Sequence, residues 1–368
     1  MSIGRWVIPL VVTTLAVSAA TGCSRIQSLA LGSAPRVWNG RTRQPPELLQ
    51  ARAAPRPTTL QPGGGSTTPP DFKVAFLGDQ GLNRDARAVL ALIKAEDPSL
   101  VLQLGDLGYE EGDPRSPLLW ETQIDQALGR DVPLLSVIGN HDVERWRTYE
   151  RLLLARQARI EGAVCSGRYG VDSACAYEGL FIIRSGIGTL PDQRDHGPHV
   201  AYLESQLAES SATWKICAWH KNQRAMQVGD KRNEVGWDAY EVCREAGALI
   251  VTAHEHSYSR TKTLVDIPRR TVSPDWPDPD VLTVAPGSTF VVVAGLGGDS
   301  IRGQERCRPT TYPYGCDGEW ASIYTADQGA RPGALFVTFH VDGDPKKARG
   351  YFKNIDREII DTFTVQAR

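Results

Sequence analysis

Five short, mostly apolar runs constrain the fold of this chain most: Phe72 to Leu77, Leu100 to Leu104, Leu134 to Ile138, Trp214 to Trp219 and Leu249 to Thr252. Each gives way at once to small or polar residues. Near-continuous apolar runs of this length suit strands buried on both faces. Between them, Asp85 to Ala95, Leu118 to Leu128, His199 to Ala208 and Trp237 to Ala246 carry apolar residues at helical spacing. This alternation predicts an α/β fold. From Thr289 onward the pattern changes to strands without clear helices, at Phe290 to Ala294, Ala334 to Val341, Gly350 to Asn354 and Ile359 to Val365. A second sheet is implied, and the expected architecture is an α/β sandwich of two central β-sheets flanked by helices. The proline-rich stretch Asp266 to Ser288 carries no assignable element.

Ligands of open α/β sheets collect at the carboxyl ends of strands, and the polar residues of this chain stand there. The first three strands run into Gly78-Asp79-Gln80-Gly81, Gly105-Asp106-Leu107-Gly108-Tyr109 and Gly139-Asn140-His141-Asp142. The later ones run into His220 and into Ala253-His254-Glu255-His256. Taken singly, a Gly-Asp pair is a turn, Asn140-His141-Asp142 a helix cap and His220 a satisfied core or surface residue. His254 and His256 alternate so that both can point the same way. Together they supply carboxylates, imidazoles, an amide oxygen and a phenol, which are ligands for borderline to hard metal ions. Two such ions can clamp a phosphoryl group and acidify a shared water.

The series Gly-Asp-x-Gly, Gly-Asp-x-x-Tyr, Gly-Asn-His-Asp, x-x-x-His and x-His-x-His-x-Tyr-x-Arg resembles the calcineurin-like metallophosphoesterases, and within them the purple acid phosphatases. Gly81 stands where most of the superfamily has His, while Tyr109, Tyr258 and Arg260 look like the purple branch. The likeness runs from about Lys73 through Gly295-Leu296-Gly297-Gly298-Asp299 to the end. It implies one metal bound by Asp79, Asp106, Tyr109 and His256, with Asp106 bridging to a second bound by Asn140, His220 and His254. It also implies Fe(III) at the first site and Fe, Zn or Mn at the second, with Tyr109 as a tyrosinate; packing beside a Zn or Mn pair is the alternative. His141 would face the phosphate, stabilising charge or protonating the leaving oxygen. Ala253 replaces the family's usual Gly, and Asp142 stands where Glu is common.

The expected activity is hydrolysis of phosphomonoesters, in the manner of an acid phosphatase, by a metal-held hydroxide attacking phosphorus in line. A phosphodiesterase or nucleotide pyrophosphatase on the same site is the rival within enzymes. A metal-stabilised surface binding protein is the rival outside them. The partner is a small phosphorylated substrate, and a net charge of −2 excludes a dedicated nucleic-acid binder.

At the N-terminus, Val7 to Ala20 form an uncharged, mostly apolar run ending in Ala20-Thr21-Gly22-Cys23. This predicts residues 1–23 to be a signal peptide with a lipobox-like end. Acylation of Cys23 would make the protein an exported, membrane-anchored bacterial lipoprotein facing the periplasm or cell exterior; cleavage and release, or a retained anchor, are the alternatives. Residues 24–70 read as a disordered Pro- and Gly-rich tether that holds the domain clear of a membrane contacted only through the N-terminal anchor, and 71–368 as the catalytic domain. Cys23 aside, six cysteines remain in a disulfide-permissive compartment. Cys165 with Cys175 and Cys307 with Cys316 are expected to pair, while Cys217 and Cys243 suit either a bridge or buried free thiols.

Other residues invite structural readings: His196 and His199 as surface or capping groups, Trp219 as pocket wall or core, and His340 as structural. Lys221, Asn222 and Arg224 follow His220 on an expected loop, where one of them could touch the non-reacting part of a substrate.

Overall fold

The first strand, β1 (Phe72–Leu77), shows how the layers arise. Val74 and Phe76 pack into one core with Leu102, Ile216, Val251 and Val292, while Ala75 and Leu77 pack into another with Val89, Leu90 and Ile93. Alternate side chains thus serve two cores, so the strand reads as a continuous apolar run. The computed structural model describes residues 69–190 and 196–368. The signal segment, Cys23 and residues 24–68 of the expected tether lie outside the described residues.

In chain order the elements are β1, α1 (Arg84–Glu96), β2 (Leu100–Gln103), α2 (Ser116–Ala127), β3 (Leu134–Ser136), α3 (Trp146–Gln157), β4 (Val164–Arg168), β5 (Asp172–Tyr177) and β6 (Leu180–Ser185). Then come α4 (Gly197–Glu209), β7 (Trp214–Trp219), α5 (Trp237–Glu245), β8 (Leu249–Thr252), β9 (Tyr258–Thr261), β10 (Leu264–Asp266), β11 (Thr271–Val272) and β12 (Val281–Val284). The last are β13 (Val291–Ala294), β14 (Trp320–Tyr324), β15 (Gly333–Phe339), β16 (Lys347–Asn354) and β17 (Ile359–Ala367). One sheet has the order β12-β17-β16-β15-β1-β2-β3, and the other β14-β9-β13-β8-β7-β6-β5-β4. The faces they turn to each other share one core. Helices α1, α2 and α3 cover the outer face of the first sheet, and α4 and α5 that of the second. The expected sandwich is present.

The late strands do not form a sheet of their own. β15 pairs antiparallel with β1, Val74 facing Val337, and β16 and β17 follow it outward. Buried along its whole length, β15 covers an edge of β1 that would otherwise expose unpaired backbone. One edge of the second sheet is instead the antiparallel meander β4–β5–β6, and the parallel strands β6, β7, β8 and β13 form its centre. Within the unassigned proline-rich stretch, β12 joins the first sheet parallel to β17.

Three disulfides reinforce this frame. Cys165–Cys175 joins β4 to β5, Cys217–Cys243 ties β7 to α5, and Cys307–Cys316 closes the loop before β14. Cys217 and Cys243 are therefore bridged rather than free.

Tyr258 and Arg260, which carry part of the family likeness, do not reach the candidate site. Arg260 is fully buried and holds Asp361 of the opposite sheet with two bonds, Nε to Oδ2 at 2.7 Å and Nη2 to Oδ1 at 2.8 Å. The Tyr258 hydroxyl donates to the same carboxylate at 2.6 Å. Asp361→Ala would leave a buried guanidinium with only the exposed Asp280, 3.2 Å from Nη2, as counter-charge, and a loss of about 3–5 kcal/mol is expected. Denaturant unfolding with metal content measured in parallel checks this; a loss of about 0.5 kcal/mol, typical of a surface change, would show the bridge to be dispensable.

Candidate metal centre

The parallel strands of both sheets present their carboxyl ends on one side of the sandwich, and the candidate residues meet there. Asp79 follows β1, Asp106 and Tyr109 follow β2, and Asn140 and His141 open the 3-10 turn after β3. His220 follows β7, and His254 and His256 follow β8. Close backbone approach makes this possible. A Cβ on Gly139 would lie 2.0 Å from the Asp106 nitrogen, and one on Gly78 would lie 2.3 Å from the Ala253 Cβ. Ala253 therefore uses the space that Gly78 leaves open.

Three of these residues hold left-handed backbone: Asp79 at φ 58°, Asp106 at φ 53° and His254 at φ 66°. For non-glycine residues this conformation is costly and collects at functional sites. Hydrogen bonds fix it. Asp79 Oδ2 accepts from the His254 amide at 2.8 Å, and Asp106 Oδ1 from the His141 amide at 2.9 Å. One oxygen of each carboxylate is thereby anchored, and the other is turned toward the cluster.

Those free atoms form two groups that share one member. In the first, the Tyr109 hydroxyl lies 3.1 Å from Asp79 Oδ1, 3.2 Å from His256 Nε2 and 3.4 Å from Asp106 Oδ2. In the second, His220 Nε2 lies 3.1 Å from Asp106 Oδ2 and 3.2 Å from His254 Nδ1. Ligands bound at 2.0–2.2 Å to a common ion stand about 3.0–3.4 Å from one another, which is the spacing found here. The amide oxygen of Asn140 is buried without a hydrogen-bond partner among the described residues. Such an atom is costly to leave unpaired, and a cation would satisfy it. The donor set thus fits metal ions.

The electrostatics agree. Burial opposes the charges of Asp79 and Asp106, yet His256 beside the first and His220 beside the second hold both carboxyls below their ordinary pKa. Burial would depress His220, but Asp106 and then Asp79 push it up to about 9. Burial lowers His254 to about 4 despite its bond to Glu234, which favours the neutral imidazole a metal needs. Burial and the same two carboxylates drive the Tyr109 phenol upward. A bound cation would reverse that preference.

Several supporting residues have no sequence signature. Glu234 Oε2 accepts from His254 Nε2 at 2.8 Å, which directs His254 Nδ1 toward His220. Ser300 Oγ lies 2.6 Å from His256 Nδ1, and the Leu104 carbonyl accepts from His220 Nδ1 at 2.7 Å. Lys231 Nζ donates to the His254 carbonyl. Asp142, buried and pushed up to about 7 by burial and Asp106, accepts from the amides of Asp106, Leu107 and Gly139. It clamps two strand ends together. His141 is partly exposed, with Nε2 3.9 Å from Asp106 Oδ2 and Nδ1 on Glu111.

The remaining candidates stand apart. Trp219 is core, edge-on to Tyr240 at 4.9 Å. His199 is not at the surface as expected: it is buried against Asp172, with Ser185 Oγ 3.4 Å away. His196 accepts from the Gly236 amide at 3.3 Å, and His340 ends β15 in left-handed backbone at φ 57°. Lys221 pairs with Glu234 at 2.6 Å, Asn222 is buried against the Ala253 carbonyl, and Arg224 is exposed.

A family model described as calcineurin-like phosphoesterase matches residues 72–258, just over half of the chain. No curated protein matches the sequence. Among solved structures, the purple acid phosphatase PPD1 of yellow lupin (Lupinus luteus) seeds superimposes with a TM-score of 0.59 at 15% identity, covering 82% of this chain and 55% of that one. The chain therefore spans little more than half of the lupin protein. GAP50, the anchor in the inner membrane complex of Plasmodium, gives a TM-score of 0.52 at 13% identity, covering 82% of this chain and 90% of that one. At these identities the likeness is one of fold.

Proposed function

The chain belongs to the calcineurin-like phosphoesterase family, and on that footing we propose that it hydrolyses phosphomonoesters at a dinuclear centre held by Asp79, Asp106, Tyr109, Asn140, His220, His254 and His256. Membership makes phosphoester hydrolysis with metal ions its chemistry. The observation that carries the finer reading is the shared position of Asp106 Oδ2, 3.4 Å from the Tyr109 hydroxyl and 3.1 Å from His220 Nε2. Two ions bound there would neutralise phosphoryl charge and acidify a water for in-line attack.

The chain's own residues do the rest. Glu111 takes the Nδ1 side of His141, so Nε2 faces the centre and can hand a proton to the leaving oxygen. Glu234 and Ser300 orient His254 and His256 from behind. The same fold serves a phosphatase in lupin and an anchor in Plasmodium, so fold alone does not separate enzyme from binding protein. The intact ligand set with His141 favours the enzyme. A panel of a phosphomonoester, a phosphodiester and a nucleotide tests the reading: the monoester should turn over fastest, and faster hydrolysis of the diester would reassign it.

A phenol binds as phenolate only to a metal acidic enough to displace its proton, and Fe(III) is such a metal. With Fe(III) beside Tyr109 and Fe, Zn or Mn at the second position, the oxidised protein should show a visible charge-transfer band. Tyr109→Phe should abolish that band and keep the fold. A band that survives the substitution would reject tyrosinate ligation.

The N-terminal segment supports export and lipidation at Cys23, with residues 24–70 as a tether and 71–368 as the catalytic domain. Among the described residues no helix is long and apolar enough to cross a membrane. In detergent partition, Cys23→Ser should shift the protein to the aqueous phase; an unmodified mature N-terminus elsewhere would contradict lipidation.

A further inference from the structure

Glu234 belongs to two neighbourhoods at once. Its Oε2 accepts a hydrogen bond from His254 Nε2 and its Oε1 holds Lys221, while the side chain lines a cavity of about 820 Å³ shared with Thr189, Lys221, Arg232 and Trp237. The cavity is therefore one side chain away from the candidate metal centre. Among the described residues its lining is unbalanced in charge. The Glu234 carboxylate is already committed to Lys221 and His254, and Arg232, exposed at the rim, makes no ion pair or hydrogen bond among the described residues. A second feature points to an absent polar partner: Thr189 is 6% exposed, and its buried hydroxyl has no hydrogen-bond partner among the described residues. A buried hydroxyl left in this state costs free energy unless a ligand satisfies it. The start of α5, at Gly236 and Trp237, also borders the cavity and has no side-chain cap. The Gly236 amide donates to His196, and the amides of the turn that follows, which already carries Asp238, favour negative charge.

Resting on the phosphatase reading above, we propose that this cavity receives the leaving part of the phosphate ester and selects leaving parts that carry a second anionic group. That group meets Arg232 and the Thr189 hydroxyl, with the body of the leaving part against the Trp237 indole. Lys221 cannot serve equally, because it is held on Glu234. The selection is one of substrate class and involves no step of the hydrolysis itself.

The test uses metal-replete protein and three non-hydrolysable probes in titration calorimetry: phenylphosphonate, 4-carboxyphenylphosphonate and 1,4-phenylenebisphosphonate. At least one of the two probes with an anionic tail should bind about tenfold more tightly than phenylphosphonate, in line with one charge-assisted bond in a partly open site. Which of the two gains more names the anion. In Arg232→Ala the advantage should fall toward unity, and in Thr189→Val it should shrink. Equal binding of the three probes, binding of none, or an advantage that survives both substitutions overturns the proposal. Hydrolysis of phenyl phosphate by the same preparation is scored separately; its absence would reject the phosphatase reading, while the binding comparison would still judge the cavity.

Discussion

Asp106→Ala is expected to lower phosphomonoester turnover on the order of 10³-fold or more and to strip metal from the protein at the same time. Asp106 is almost fully buried, and its two oxygens do different work. Oδ1 fixes the His141 amide at 2.9 Å, and Oδ2 stands between the Tyr109 hydroxyl and His220 Nε2. On the proposed dinuclear reading the substitution would remove a shared ligand and the charge that offsets two cations, so both positions should weaken together. Asp106→Asn separates charge from shape. It can keep an acceptor for the His141 amide while losing the negative charge, and the same joint loss of activity and metal is expected. Near-normal turnover of Asp106→Ala with two metals still bound would remove the bridging role.

His141→Ala is expected to reduce kcat on the order of 10²-fold or more while metal content stays at the level of the unmodified protein. His141 Nε2 lies 3.9 Å from Asp106 Oδ2, farther than any of the clustered atoms from its neighbour, and its side chain is 34% exposed. A residue so placed is accessible to a substrate, as the proposed role requires. The loss should be smaller for esters whose leaving group needs no proton, such as a nitrophenolate, than for an alkyl phosphate. A uniform loss across leaving groups, or departure of the metals, would assign His141 another role.

The strand ends were legible because four of the apolar runs stop at a small residue followed by a ligand type and the fifth, Trp214 to Trp219, runs straight into His220, and the structure keeps all five of those strands. Their cores alternate residue by residue, as Val74 and Ala75 show, so the runs carry no periodicity that could be mistaken for a surface strand. Helix α3 was passed over because it buries only Tyr149, Leu153 and Arg156 within a highly charged stretch. The edge strand β12 was hidden among prolines, and its position is set by β17, more than seventy residues later in the chain. Tyr258 and Arg260 match the family pattern yet serve Asp361, because β9 begins at Tyr258 and carries both residues away from His256 toward the opposite sheet.

The supporting residues Glu111, Glu234 and Ser300 were out of reach for a different reason. They sit on loops, and only the folded chain brings Glu234 to His254 or Ser300 to His256. For Glu234 the one available signal was its closeness to His220 and Lys221 in sequence, which says nothing of direction. Thr189 had none. Its significance arises from burial without a partner.

The central claim is that this cluster binds two metal ions and uses them to hydrolyse phosphate esters. Its most direct test is elemental analysis of the purified protein alongside phosphomonoester turnover, before chelation, after chelation and after metal is restored. Two metal ions per chain, activity lost with the metal and regained with it, are the predicted result. Full turnover in protein stripped of metal would contradict the account.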